Sequence, residues 1–185
     1  MEKNIDFLLE KIKKSDFESF WQMLRCSFPS DEYRTKEEHL AMLNNPLHNI
    51  FVAKSDDNIL GFVTTWKIGQ WIFIEHLVTS PHFRNMGLGS KILQKLANTI
   101  QLSICLEVEP PVTEIASRRI EFYKRNGYFL NTYPYIQPPY GSDKKPLELM
   151  IMTYSHAISE EEFVQIKSLI YPIVYKVDKD YTPQS

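Results

Sequence analysis

The chain has 185 residues, 43% hydrophobic and 13% aromatic, which is enough apolar surface for one substantial core at a length that favours one domain. Its formal net charge is −2, so no global basic field draws it to nucleic acid, and no uninterrupted apolar run approaches the roughly 18 residues of a membrane helix. The segment Met1-Glu2-Lys3-Asn4-Ile5-Asp6 lacks a signal-peptide core and Cys26 and Cys105 lack C-x-x-C spacing, which predicts a cytoplasmic protein without a disulfide framework.

In chain order, residues 7–13 read as a first strand. Ser15-Asp16-Phe17-Glu18 has the pattern of a capping box and opens a helix carrying Phe20, Trp21, Leu24 and Phe28. Thr35-Lys36-Glu37-Glu38 is a second such box, opening a short helix through Leu40 and Leu43 before Pro46. Residues 50–54 and 59–67 are strands around the turn at 55–58, and Ile68-Gly69-Gln70 turns into a strand over 71–79. A helix then carries Leu88, Ile92, Leu93, Leu96 and Ile100 at close to the 3.6-residue period. An apolar strand over 104–108 holds Cys105, which reads as a buried thiol, and Pro110-Pro111 breaks the chain after it. The next helix, through Arg118-Arg119-Ile120-Glu121-Phe122-Tyr123-Lys124-Arg125-Asn126, is ended by Gly127. Residues 128–136 and 147–154 are strands around a Pro-rich loop at 137–146. Ser159-Glu160-Glu161-Glu162 caps a last helix whose stripe of Phe163, Ile166, Leu169 and Ile170 either packs on the domain or forms a homodimer contact.

The segment Arg84-Asn85-Met86-Gly87-Leu88-Gly89-Ser90 joins an apolar strand to the start of an amphipathic helix. Its glycines allow a tight turn and close approach of a ligand. The first amides of a helix have no partner within it and carry the positive end of its dipole, so an anionic group suits this junction. The same pattern also serves as a plain strand-ending turn. A Walker-type loop needs G-x-x-x-x-G-K-[ST], and a dinucleotide fingerprint needs a third glycine with an acid about 20 residues on; neither is present.

Together with the preceding strand and Pro81, this R-x-x-G-x-G segment resembles the GNAT superfamily of N-acetyltransferases. Phe122-Tyr123-Lys124-Arg125-Asn126-Gly127-Tyr128 is similar to the ending of that family's fourth helix, and the order of predicted elements agrees over roughly residues 5 to 155. The resemblance implies an α/β (α+β) acyl-CoA N-acyltransferase fold, a central mixed and mostly antiparallel sheet flanked by helices. It divides the chain into a domain over residues 1–155 and an added C-terminal helical extension over 156–185. It further implies an acetyl-CoA-dependent N-acetyltransferase working by direct transfer in a ternary complex. The other reading is a non-enzymatic acyl-CoA-binding or regulatory module on the same fold.

By the same resemblance, Arg84, Asn85, Met86, Gly87, Leu88, Gly89 and Ser90 hold the pyrophosphate of acetyl-CoA. Leu77, Val78 and Thr79 on the preceding strand and Phe122 and Tyr123 on the later helix complete the cofactor contacts, with an oxyanion donor near Val78, where the family's strand splays. An alkyl amine with a pKa near 10 is only about 0.1% neutral at pH 7, so transfer needs a proton acceptor. Glu75 is the candidate general base, directly or through water, or else a structural ion pair. Alternation places Glu75 on one strand face with Phe73 and Leu77, and His76 on the other. Tyr123 matches the family's general acid, which protonates the leaving thiolate, or else it packs with Ala116 and Ile120.

The acceptor pocket implied by the resemblance draws on the first two helices and the loop between the last two strands. Asp31 and Glu32 would attract a cationic amine there, or form a solvated junction. Tyr135 and Tyr140 make a rigid pocket wall, or the Pro/Tyr run serves a partner domain. The acceptor is then a small-molecule or peptide amine, with no nucleic acid or membrane partner. Ala116 stands where many members have Asn, which puts individual cofactor contacts from that helix in question. The histidines show no paired metal-ligand spacing, so no metal is expected.

Overall fold

Alternating apolar runs and turn signals produce seven strands and five α-helices among the described residues, 5–56 and 58–183 of this computed structural model. The strands are β1 (Leu8–Lys11), β2 (His48–Ser55), β3 (Asn58–Ile68), β4 (Trp71–Thr79), β5 (Ser103–Val108), β6 (Tyr128–Gln137) and β7 (Leu147–Tyr154). The helices are α1 (Phe17–Arg25), α2 (Lys36–Met42), α3 (Leu88–Thr99), α4 (Glu114–Arg125) and α5 (Glu160–Ile170). Two of the three predicted capping boxes form. Thr35 and Glu38 exchange side-chain and main-chain bonds at the start of α2, as Ser159 and Glu162 do at α5. The box at Ser15 does not form, because the carboxylates that flank the start of α1 are taken by lysines. Asp16 accepts from Lys54 at 3.0 Å and Glu18 from Lys36 at 2.6 Å. Residues 14–16 form a 3-10 turn instead, and the predicted turn residue Asp57 lies outside the described residues.

Contacts divide the chain into two units, Met1–Trp66 with Ile74–Gln101, and Lys67–Phe73 with Leu102–Ser185. In the first, the strand order is β1-β2-β3-β4, with β1/β2 and β2/β3 antiparallel. Phe17, Phe20 and Leu24 of α1 pack on Ile50, Val52, Phe62 and Val78 from three strands. Burying an aliphatic or aromatic side chain of this size stabilises a fold by about 1.5–3 kcal/mol. Helix α3 buries Leu88, Ile92, Leu93 and Leu96, the stripe its sequence period predicts.

In the second unit the order is β5-β7-β6, both pairs antiparallel. Pro134 has no N–H to give a ladder, and it falls where the β6/β7 register is interrupted, between Asn131 and Tyr135. Gly127, at φ 84°, ends α4 in the left-handed conformation that favours glycine. The apolar stripe of α5 is covered within this unit: Phe163 stacks on Tyr133 of β6 at 5.0 Å, and Ile166 and Ile170 are fully buried. The helix then continues as a π-helical turn, Tyr171–Tyr175, which the sequence reading did not anticipate. Tyr171 donates from that turn to the Ile136 carbonyl at 2.6 Å. Among the described residues no helix is long and apolar enough to cross a membrane.

Candidate active site

The glycine-rich junction has the backbone its sequence requires. Pro81–Phe83 form a 3-10 turn, and Asn85 and Gly87 adopt positive φ of 60° and 75°. Gly87 precedes the first residue of α3 and brings no capping side chain, and a Cβ built on it would meet nothing within 4 Å. Arg84 to Ser90 therefore lead into a helix N-terminus with open space over the cap, suited to a phosphate. Beneath the end of β4, Gly61 of β3 lets the backbones approach: a Cβ there would stand 2.5 Å from the Val78 carbonyl oxygen.

The side chain of Glu75 has no exposed surface although the residue is only half-buried, so its exposure belongs to the main chain. Leu77 and Thr79 are half-buried likewise, while Val78 between them is buried. The carboxylate of Glu75 accepts from Arg34, a buried residue whose guanidinium lies 5.3 Å from the centre of the Trp66 ring. His48 Nε2 and His76 Nδ1 stand 3.8 and 3.7 Å from the second carboxylate oxygen. A regular pleat sends adjacent side chains to opposite faces. The approach of Glu75 and His76 overturns the expected assignment of these two residues to opposite faces, since β4 departs from regular alternation between them.

His76 is held at both ring nitrogens. Thr64 Oγ1 accepts the His76 main-chain N–H at 3.0 Å, which leaves its own hydrogen to donate to Nδ1 at 3.1 Å. Nε2 is then the protonated nitrogen and donates to the Glu32 carbonyl at 2.9 Å. Burial lowers His76, and lowers His39 to about 3 and His48 to about 4, against the opposing pull of Glu75. Burial alone would raise Glu75, but the fields of Arg34, His76 and His48 outweigh it and hold the carboxyl well below the usual range. With the histidines neutral at pH 7, Arg34 is the cation that balances Glu75. Among the described residues no group of three His, Cys, Asp or Glu side chains is placed to hold a metal ion.

Asp31 and Glu32 lie on a 3-10 turn, Ser30–Glu32, between α1 and α2, and both are half-buried. Arg34 and the Glu32 carbonyl tie this turn to Glu75 and His76 of β4. The first unit thus brings Asp31, Glu32, Glu75 and the residues of the β4–α3 junction into one body.

The second unit holds Phe122, Tyr123, Tyr135 and Tyr140. Tyr123 is buried on α4, its ring 5.2 Å from that of Phe122 and 5.6 Å from that of Tyr128, and burial pushes its hydroxyl up to about 12. It stays protonated across the physiological range. Tyr135 is 2% exposed and donates to Glu107 of β5, and Tyr175 of the π-helical turn donates to the other oxygen of the same carboxylate at 2.7 Å. Tyr140 is half-buried with its ring 5.1 Å from Tyr175. Sequence reasoning missed Arg34, His39, His48 and Glu107. The available signal was a carboxylate at position 75 and another at 107, each inside an otherwise apolar strand, where a buried charge requires partners.

Comparison with known proteins points one way. The model of the acetyltransferase (GNAT) family matches residues 17–128. A GNAT-family structure from Bacteroides thetaiotaomicron superposes with a TM-score of 0.84 at 33% identity, covering 94% of this chain and 100% of that one. Arabidopsis thaliana NAA60 in complex with acetyl-CoA shares the fold, with a TM-score of 0.62 at 17% identity over 80% of this chain and 98% of that one. Thialysine N-epsilon-acetyltransferase of Bos taurus is 33% identical over 64 residues, 35% of this chain, and the chain spans only 37% of that relative's length. The mixed seven-stranded sheet flanked by helices is that of the GNAT structures.

Proposed function

The chain belongs to the GNAT acetyltransferase family, and we propose that it moves the acetyl group of acetyl-CoA onto an amine by direct transfer in a ternary complex. The observation that carries this reading is the junction at Gly87, where positive φ, an uncapped helix start and open space over the Cβ position combine. Acetyl-CoA supplies an activated thioester carbonyl. Main-chain amides from Arg84 to Ser90 would hold its pyrophosphate, and the half-buried residues Leu77 and Thr79 would contact its pantetheine arm, with Val78 offering the oxyanion donor.

Tyr123 holds its proton at neutral pH and is the group proposed to donate it to the departing sulfur, with Phe122 beside it on the cofactor. The Glu75 side chain has no exposed surface and is bonded to Arg34, which favours the structural ion pair over the general base as its role. Asp31, Glu32 and Tyr140 are proposed to contact a cationic acceptor, and Tyr135 is held by Glu107.

The test is release of free thiol from acetyl-CoA in the presence of spermidine, S-aminoethyl-cysteine and a peptide with a free N-terminus, each read against a no-amine control. Amine-dependent thiol release with a matching acetylated product supports the reading. Saturable acetyl-CoA binding with no thiol release for any amine class would leave the chain a binding module instead.

A further inference from the structure

We infer that Glu75 and His76 are positioning residues, which clamp the segment between α1 and α2 and so hold Asp31 and Glu32 in place for the acceptor; this rests on the reading that the segment borders the acceptor amine. Pro29 leads into a three-residue 3-10 turn in which the Glu32 N–H donates to the Pro29 carbonyl at 3.0 Å. The hydrogen-bond geometry of 3-10 turns is poorer than that of an α-helix, so anchors outside the turn matter to its shape. Its anchors come from distant parts of the chain. Arg34 is bonded to Glu75 and lies over Trp66, and the Glu32 carbonyl accepts from His76, whose other ring nitrogen is fixed by Thr64. Phe28 packs edge-on against His76 with ring centres 4.8 Å apart, and Tyr33 against Trp21 at 5.6 Å.

The two β4 residues act as one clamp because the strand departs from alternation there, bringing carboxylate and imidazole onto the same side. A regular strand would direct only one of them at the segment. Glu75 spends its carboxylate on the guanidinium, and the charge it holds there is what keeps Arg34 buried. Its contribution to turnover therefore runs through Arg34 and the acids on the turn. The groups that face it from neighbouring elements are Arg34, His48 and His76, with His39 adding a weaker field.

The experiment pairs amide hydrogen exchange over residues 30–35 with steady-state kinetics, using spermidine as the amine probe, for Arg34→Met, Glu75→Gln and the double variant. Each single change is expected to speed exchange in that segment at least tenfold. Each is also expected to raise the KM for spermidine at least fivefold, while leaving the KM for acetyl-CoA within twofold and the acidic limb of the kcat profile unmoved. The double variant, which buries no unpaired charge, should fold where a single change does not and should show the same loosened segment. Unchanged exchange in the folded variants would overturn the inference, as would a Glu75→Gln variant that loses the acidic limb of kcat while its segment stays protected. If the parent chain turns over no amine tested, the transferase reading falls, and the exchange arm still decides the clamp.

Discussion

Nδ1 of His76 lies 3.7 Å from the carboxylate of Glu75, the residue just before it in β4. Neighbours along a regular strand point apart, so this contact marks the place where β4 leaves its pleat and turns two polar side chains toward Arg34 and the Glu32 carbonyl. The arrangement is a buried ion pair ringed by neutral histidines.

Removing one member of that pair strands the other charge in the core. Arg34→Met and Glu75→Gln are each expected to lower unfolding stability by about 3–5 kcal/mol, whereas the double variant should lose less than the sum of the two. Urea denaturation of the three variants measures the coupling. Additive losses would show that the two side chains do not depend on one another.

Acid should destabilise the fold well before carboxylates titrate. His39 and His48 are lowered to about 3 and about 4 from 6.5, and His76 is lowered too, so the unfolded chain binds more protons than the native one between those values. Their contribution is intact above pH 6.5 and is lost as pH falls toward the native values. From pH 6.5 to 5 the loss is about 2 kcal/mol for each of His39 and His48. Glu75, held low, adds a further loss only below about pH 4.5. Urea midpoints measured from pH 8 to 5 should decline, and His39→Phe should decline less steeply. A flat profile down to pH 5 would contradict burial of neutral histidines.

Gly61→Ala places a methyl group 2.5 Å from the Val78 carbonyl, with Ile92 Cδ1 3.1 Å away on the other side. Backbone cannot yield as a side-chain tip can, so the cost is expected at about 1–3 kcal/mol, with weakened acetyl-CoA binding from a displaced end of β4. Thermal melts and a binding titration check both.

Tyr123→Phe keeps the ring packing against Phe122 and Tyr128 and removes only the hydroxyl. Acetyl-CoA affinity should be unchanged, while kcat for the best amine falls by about 100-fold or more, the range of general acid catalysis. Full turnover in this variant would reduce Tyr123 to a packing residue.

Local signals made much of this fold legible. The bounds of β4 and β7, the boxes at Thr35 and Ser159, the start of α3 at Leu88 and the glycine end of α4 all follow from residues within a few positions of one another. The box at Ser15 failed because its acids answer to Lys36 and Lys54, which only the folded chain brings near. The same reason hid the network at Glu75. Arg34, His39, His48 and Trp66 come from four separate stretches, and no spacing rule links them to β4. Glu107 was equally silent, since its partners Tyr135 and Tyr175 lie 28 and 68 residues away. The π-helical turn at Tyr171–Tyr175 carries a proline, which in sequence reads as a stop.

The measurement that tests the central claim most directly is calorimetric titration of the folded protein with acetyl-CoA, beside a Gly87→Glu variant. The carboxylate would enter the open space over the α3 start and repel phosphate, while the positive φ at Gly87 adds strain of about 1–2 kcal/mol. Saturable binding by the parent, lost in a variant whose circular dichroism is unchanged, is the predicted result. No heat of binding from a folded parent chain would contradict the account and reduce the junction to a turn between β4 and α3.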